Sequence, residues 1–140
     1  MRSPFDWFPH IPSLEPPLST SPAEYQPAFA AHELRVRRQV TDRGAVLRVS
    51  GEVDLASVDV LRTEIRAALE SSPPEVWIDL CDTAFIDSSG LHALVETAHE
   101  VRGLAIICPP GPVRRVFELT GLDRALPLYD DAEALLRSAQ

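Results

Sequence analysis

The stretch "IDLCDTAFIDSSG", Ile78 to Gly90, decides how this chain folds. It continues an almost wholly apolar run, "EVWIDL" (Glu75 to Leu80), of the kind expected of a central strand covered on both faces. A short turn is expected after Leu80. Asp87-Ser88-Ser89-Gly90 then precedes "LHALVETAHEV", in which Leu91, Leu94, Val95 and Ala98 recur at helical spacing. The order is strand, turn, helix, with two hydroxyls and a carboxylate where the helix begins.

Upstream, "HELRVRRQ" and "AVLRVSG" alternate apolar and polar residues, as antiparallel strands with one buried face do. "TDRG" between them supplies turn residues, so a hairpin is expected. Val58, Leu61, Ile65 and Leu69 mark one face of a helix that "SSPP" ends, since proline cannot continue it. Downstream, "LAIIC" reads as a second continuous apolar strand. "PPGP" breaks the chain and sets Pro112 in the first turn of a helix with Val113, Val116, Phe117 and Thr120 on one face and Gly121 as C-cap. "ALPLY" is a candidate last strand, and Asp130 or Asp131 a candidate cap for a final helix that turns Leu135 and Leu136 inward. Strands alternating with helices predict an α/β fold: a small mixed sheet of four to five strands with helices packed on one side.

Composition narrows the function. The 140 residues fit one domain, with 45% hydrophobic and 24% charged residues. Seven of the thirteen prolines fall between Pro4 and Pro27, so residues 1–30 are expected to form a Pro-rich, disordered extension carrying Phe5, Trp7, Phe8 and Ile11, and residues 31–140 the folded domain. Net charge is −8, which disfavours nucleic acid and anionic membrane as partners. No apolar run is long enough to span a bilayer, and the N-terminus lacks the apolar core of a secretory signal, so a cytoplasmic protein is expected. Cys81 and Cys108 read as small reduced core residues, and no Cys/His spacing suits a metal. Asp54, Asp79, Asp82 and Asp87 are spread over separate segments, as solvated loop acids are. No cofactor motif is present.

The chemistry-bearing residues lie where open α/β sheets gather their binding groups, beyond the carboxyl end of a strand. Alone, Asp87 or Ser88 ahead of a helix is ordinary capping. A nucleophilic Ser88 lacks the G-x-S-x-G elbow and a base with its orienting acid, and His92, one turn on, is a poor substitute. The third reading makes Ser88 a target: a phosphoryl group at a helix N-terminus meets free amides and the favourable end of the dipole, and adds about −1.5 to −2 charges.

Three segments carry a family resemblance: "SGEVDLASVDVLRTEI", "VWIDLCDTAFIDSSGLHALV" and "GPVRRVFELTGLDRALPLYDDAEALL". In order and spacing they resemble the STAS-domain anti-sigma-factor antagonists, over about His32 to Ser138. The resemblance implies a non-enzymatic, phosphorylation-switched binding module. The unphosphorylated form binds an anti-sigma factor that is itself a serine kinase, and so frees the sigma factor. Phosphorylation switches it off, and a metal-dependent serine phosphatase resets it. By the same resemblance Ser88 is the phosphoacceptor, and Asp54, Asp87, Ser89, Gly90 and Leu91 belong to the docking surface. His92 stands where a small residue is common in the family, and bears on partner fit. Two other readings compete: an unphosphorylated STAS subunit of a larger assembly, and an enzyme with Ser88 as nucleophile.

Overall fold

The computed structural model describes residues 33–138. The Pro-rich extension expected over residues 1–30, with its aromatic residues, lies outside them. The elements in order are β1 (Arg35–Val40), β2 (Ala45–Val53), α1 (Val58–Leu69), β3 (Val76–Ile86), α2 (Ser88–Glu100), β4 (Leu104–Ile107), α3 (Pro112–Thr120), α4 (Leu122–Ala125), β5 (Leu128–Tyr129) and α5 (Ala132–Ser138). The strands form one sheet in the order β1-β2-β3-β4-β5, with β1 antiparallel to β2 and the other pairs parallel.

The period-two pattern of the strands sorts their side chains into two layers. Leu47 and Val49 of β2, Ile78 and Leu80 of β3 and Ile106 of β4 face α1, α2 and α3, meeting Leu61, Leu94 and Phe117 in the main core. Val46, Trp77, Ala105 and Ile107 point the other way. There Leu135 and Leu136 of α5 close over them, so the short last helix lies on the face opposite the three longer ones. The apolar second face of the central strands requires that cover: Trp77 and Ile107 are 2% and 1% exposed. Farther along this face Arg48 and Asp79, partners in register, form a buried ion pair at 3.3 Å.

The longest departure from the sequence reading is β3. It does not turn after Leu80 but runs eleven residues to Ile86. Its second half pairs with β2 through two register shifts, one between Arg48 and Ser50 and one between Gly51 and Glu52, where Gly51 takes φ 97°. Thr83 is held by donating its hydroxyl to the Val49 carbonyl at 2.9 Å. Cys81 is exposed by this irregular stretch, not in the core as expected; Cys108 is buried, and both are free thiols. The caps follow the sequence: Pro112 opens α3, Gly121 closes it in the left-handed conformation, and Asp131 accepts from the Ala134 amide at 2.7 Å at the start of α5.

Candidate functional site

Extended β3 delivers its last residue, Ile86, beside Val53, the last residue of β2. Two chain reversals therefore start side by side at one sheet edge: the β2–α1 loop and the entry to α2. Asp87 joins them. Its backbone N–H donates to the Val53 carbonyl at 3.0 Å. One carboxylate oxygen accepts from the amides of Ser89 at 2.8 Å and Gly90 at 3.3 Å, which makes Asp87 the N-cap of α2. The other accepts from the Leu55 amide at 3.2 Å.

The facing loop is braced in its own right. Asp54 accepts from the Ser57 amide at 2.9 Å and gives its own amide to the Ser57 hydroxyl at 3.0 Å, which donates in turn to the Glu52 carbonyl at 2.8 Å. This closed set of short bonds, an Asx-type turn, fixes where Leu55 stands. Leu55 is 77% exposed, and Phe85, two residues before Asp87, is 46% exposed. Neither residue stood out in the sequence. The available signal was an apolar residue inside a polar turn, in "VDLAS" and "TAFID".

Ser88 is the first residue of α2 and is exposed. Its hydroxyl makes no hydrogen bond among the described residues, because Asp87 already serves as the cap. Ser89 is half-buried and supplies its amide to Asp87. Gly90 and Leu91, expected at the docking surface, are buried instead. Leu91 belongs to the main core. A Cβ on Gly90 would come within 2.6 Å of both Ile86 Cγ1 and Val53 Cγ1. Their side is the one that seats α2 on the sheet, since a helix must turn one stripe inward.

His92 lies on the outer side of α2, 69% exposed at its side chain, with Nδ1 3.5 Å from Glu96 Oε1. It pairs along the helix and makes no hydrogen bond to Ser88. Glu96 is also bound by Arg62 of α1, and that bond, chiefly, holds its carboxyl below the usual range. Among the described residues no three His, Cys, Asp or Glu side chains come together as a metal site would need, and no helix is long and apolar enough to cross a membrane. The site therefore presents one unengaged hydroxyl on a rigid helix start, with exposed apolar groups beside it. Among the described residues neither His92 nor the Asp87 carboxylate is hydrogen-bonded to that hydroxyl.

The STAS domain family model matches residues 34–135. Over 88 residues the chain is 30% identical to the anti-sigma-F factor antagonist RsfB of Mycobacterium tuberculosis, covering 61% of this chain and 72% of that protein. Among solved structures it is similar to an anti-sigma factor antagonist from Mycobacterium paratuberculosis, with a TM-score of 0.71, 31% identity, and coverage of 76% of this chain and 94% of that one. It is also similar to the Bacillus cell fate determinant SpoIIAA in its phosphorylated form, at a TM-score of 0.52 and 26% identity over 75% of this chain and 98% of that one.

Proposed function

Because this chain belongs to the STAS domain family, we propose that it is an anti-sigma factor antagonist whose binding is switched by phosphorylation of Ser88. The observation that carries the reading is the exposed Ser88 hydroxyl at the start of α2, beside a carboxylate already committed to three amides. The names of its relatives support the first half of the reading, and the phosphorylated SpoIIAA structure supports the second.

The chain acts by presenting a surface and does no chemistry of its own. In the unphosphorylated state Ser88, His92, Leu55 and Phe85, braced by Asp54 and Asp87, dock on the anti-sigma factor. That factor is a serine kinase. The Ser88 oxygen attacks the γ-phosphorus of its ATP, the bond to the β-phosphate oxygen breaks, ADP leaves, and the hydroxyl proton passes to a base of the kinase. The new group adds about −1.5 to −2 charges beside the Asp87 carboxylate. Rebinding must then desolvate that charge, and each 1.4 kcal/mol lost is about a tenfold loss in affinity. A serine phosphatase restores the hydroxyl. All of this takes place in the cytoplasm.

The test is incubation with the cognate kinase and ATP, followed by mapping the label by mass spectrometry. Phosphate on Ser88, absent from Ser88→Ala, is the expected result. Label on another residue, or on none, overturns the switch.

A further inference from the structure

His92 has two possible partners along one row of α2. Ser88, His92 and Glu96 are spaced four residues apart, so their side chains stand on the same helical face, one turn above another. At present His92 pairs towards the C-terminus, with Glu96. That pair is loose, at 3.5 Å, and both side chains are substantially exposed, at 69% and 45%. Its polarity is also the less favourable one: an i,i+4 pair is stronger with the acidic residue on the N-terminal side. Glu96 does not depend on it, since Arg62 of α1 binds the same carboxylate oxygen.

An anion on Ser88 reverses the polarity and raises the charge. It would stand four residues on the N-terminal side of His92, the favoured polarity. It would carry up to two charges and three acceptor oxygens in place of one shared carboxylate. Helical side chains lean back over the preceding turn, which brings the imidazole towards position 88 by rotation about its own side-chain bonds. Among the described residues, the charged groups near this row include Asp87, whose carboxylate is bonded to amides, and Arg62, Arg66, Glu70 and Glu100, which with Glu96 line the groove between α1 and α2.

We propose that His92 is a positioning residue for the phosphorylated state: it leaves Glu96 to Arg62 and pairs with the phosphoryl group on Ser88. This rests on Ser88 being the phosphoacceptor. The exchange holds the phosphate down against the first turn of α2 and slows its removal.

The test places phosphoserine at position 88 during translation, so it does not depend on whether any kinase uses that hydroxyl. The ³¹P signal of the full-length protein is then titrated through the second phosphate ionisation, near pH 6. Pairing with His92 lowers that midpoint by about 0.15 to 0.4 of a pH unit relative to His92→Gln, the size of a favourable i,i+4 ion pair. Glu96→Gln, which removes the competing partner, keeps or enlarges the shift. A generic serine phosphatase should release phosphate up to about twofold faster from His92→Gln. Equal midpoints in wild type and His92→Gln overturn the proposal, even if both lie below that of a free phosphoserine peptide, because the helix start alone would then hold the phosphate. Failure of the kinase labelling described above, with this shift present, would remove the switch and leave the pairing.

Discussion

The carboxylate of Asp87 accepts a hydrogen bond from the backbone amide of Leu55 at 3.2 Å, across 32 residues of sequence. That bond fastens the β2–α1 loop to the start of α2, while the other oxygen of the same carboxylate caps the helix. The residue that frames the serine therefore also fixes the apolar group beside it. Asp87→Ala should cost about 0.5 to 2 kcal/mol of stability, the range for loss of an N-cap. A urea melt measures this. Asp87→Asn, which keeps an acceptor, should recover part of the loss.

Gly90→Ala tests how closely α2 sits on the sheet. In an open helix this substitution gains up to about 1 kcal/mol from helix propensity. Here the added Cβ would lie 2.6 Å from side-chain atoms of Ile86 and Val53. Overpacking of this kind costs about 1 to 3 kcal/mol, so the net sign should be destabilising. A higher urea midpoint in Gly90→Ala would contradict the close seating.

The Arg62–Glu96 pair ties α1 to α2, and its effect depends on pH with a definite sign. The folded-state pKa of Glu96 lies below its ordinary value of 4.5, chiefly through the hydrogen bond from Arg62. Its contribution is therefore present above that value and lost as pH falls through the lower, folded one. Glu96→Gln should lower the urea midpoint slightly at pH 7, and the difference should shrink as the pH falls below the ordinary carboxylate value of 4.5. The pair is partly exposed, so the effect should also shrink in high salt.

Cys81 is exposed but should react slowly. Its thiol is pushed up to about 12, first by removal of water around the sulfur, then by a hydrogen bond with Asp79 and the charges of Asp79 and Asp82. The thiolate is the reactive form. Alkylation at pH 8, followed by mass spectrometry, should label Cys81 far more slowly than a free cysteine peptide. Asp79→Asn should accelerate it.

Much of this fold was legible because periodicity and punctuation agree. The alternation in "AVLRVSG", the stripe Val58-Leu61-Ile65 and the Pro112 and Gly121 boundaries each mark the element that forms. β3 was harder to read. Its apolar run stops at Leu80, and "CDTAF" looks like a turn because Cys81, Asp82, Ala84 and Phe85 are exposed. The strand is sustained there by register shifts against β2, a long-range pairing with no local signature. The place of α5 was hidden for a related reason: Leu135 and Leu136 show that the helix has an inner face, but not which side of the sheet receives it. At the site, Asp87 caps α2 and Ser88 opens it, as an Asp-Ser pair ahead of a helical stripe implies. The burial of Gly90 and Leu91 was not legible, because a motif indicates proximity in sequence while the helical period decides which members face the core.

The most direct test of the central claim is the affinity of the cognate anti-sigma factor for two forms of this protein, one with serine and one with phosphoserine at position 88. Titration calorimetry on both, under the same salt, should give at least a tenfold weaker Kd for the phosphorylated form, a difference of about 1.4 kcal/mol or more. Ser88→Ala should bind like the unmodified protein. Equal affinity of the serine and phosphoserine forms would contradict the account.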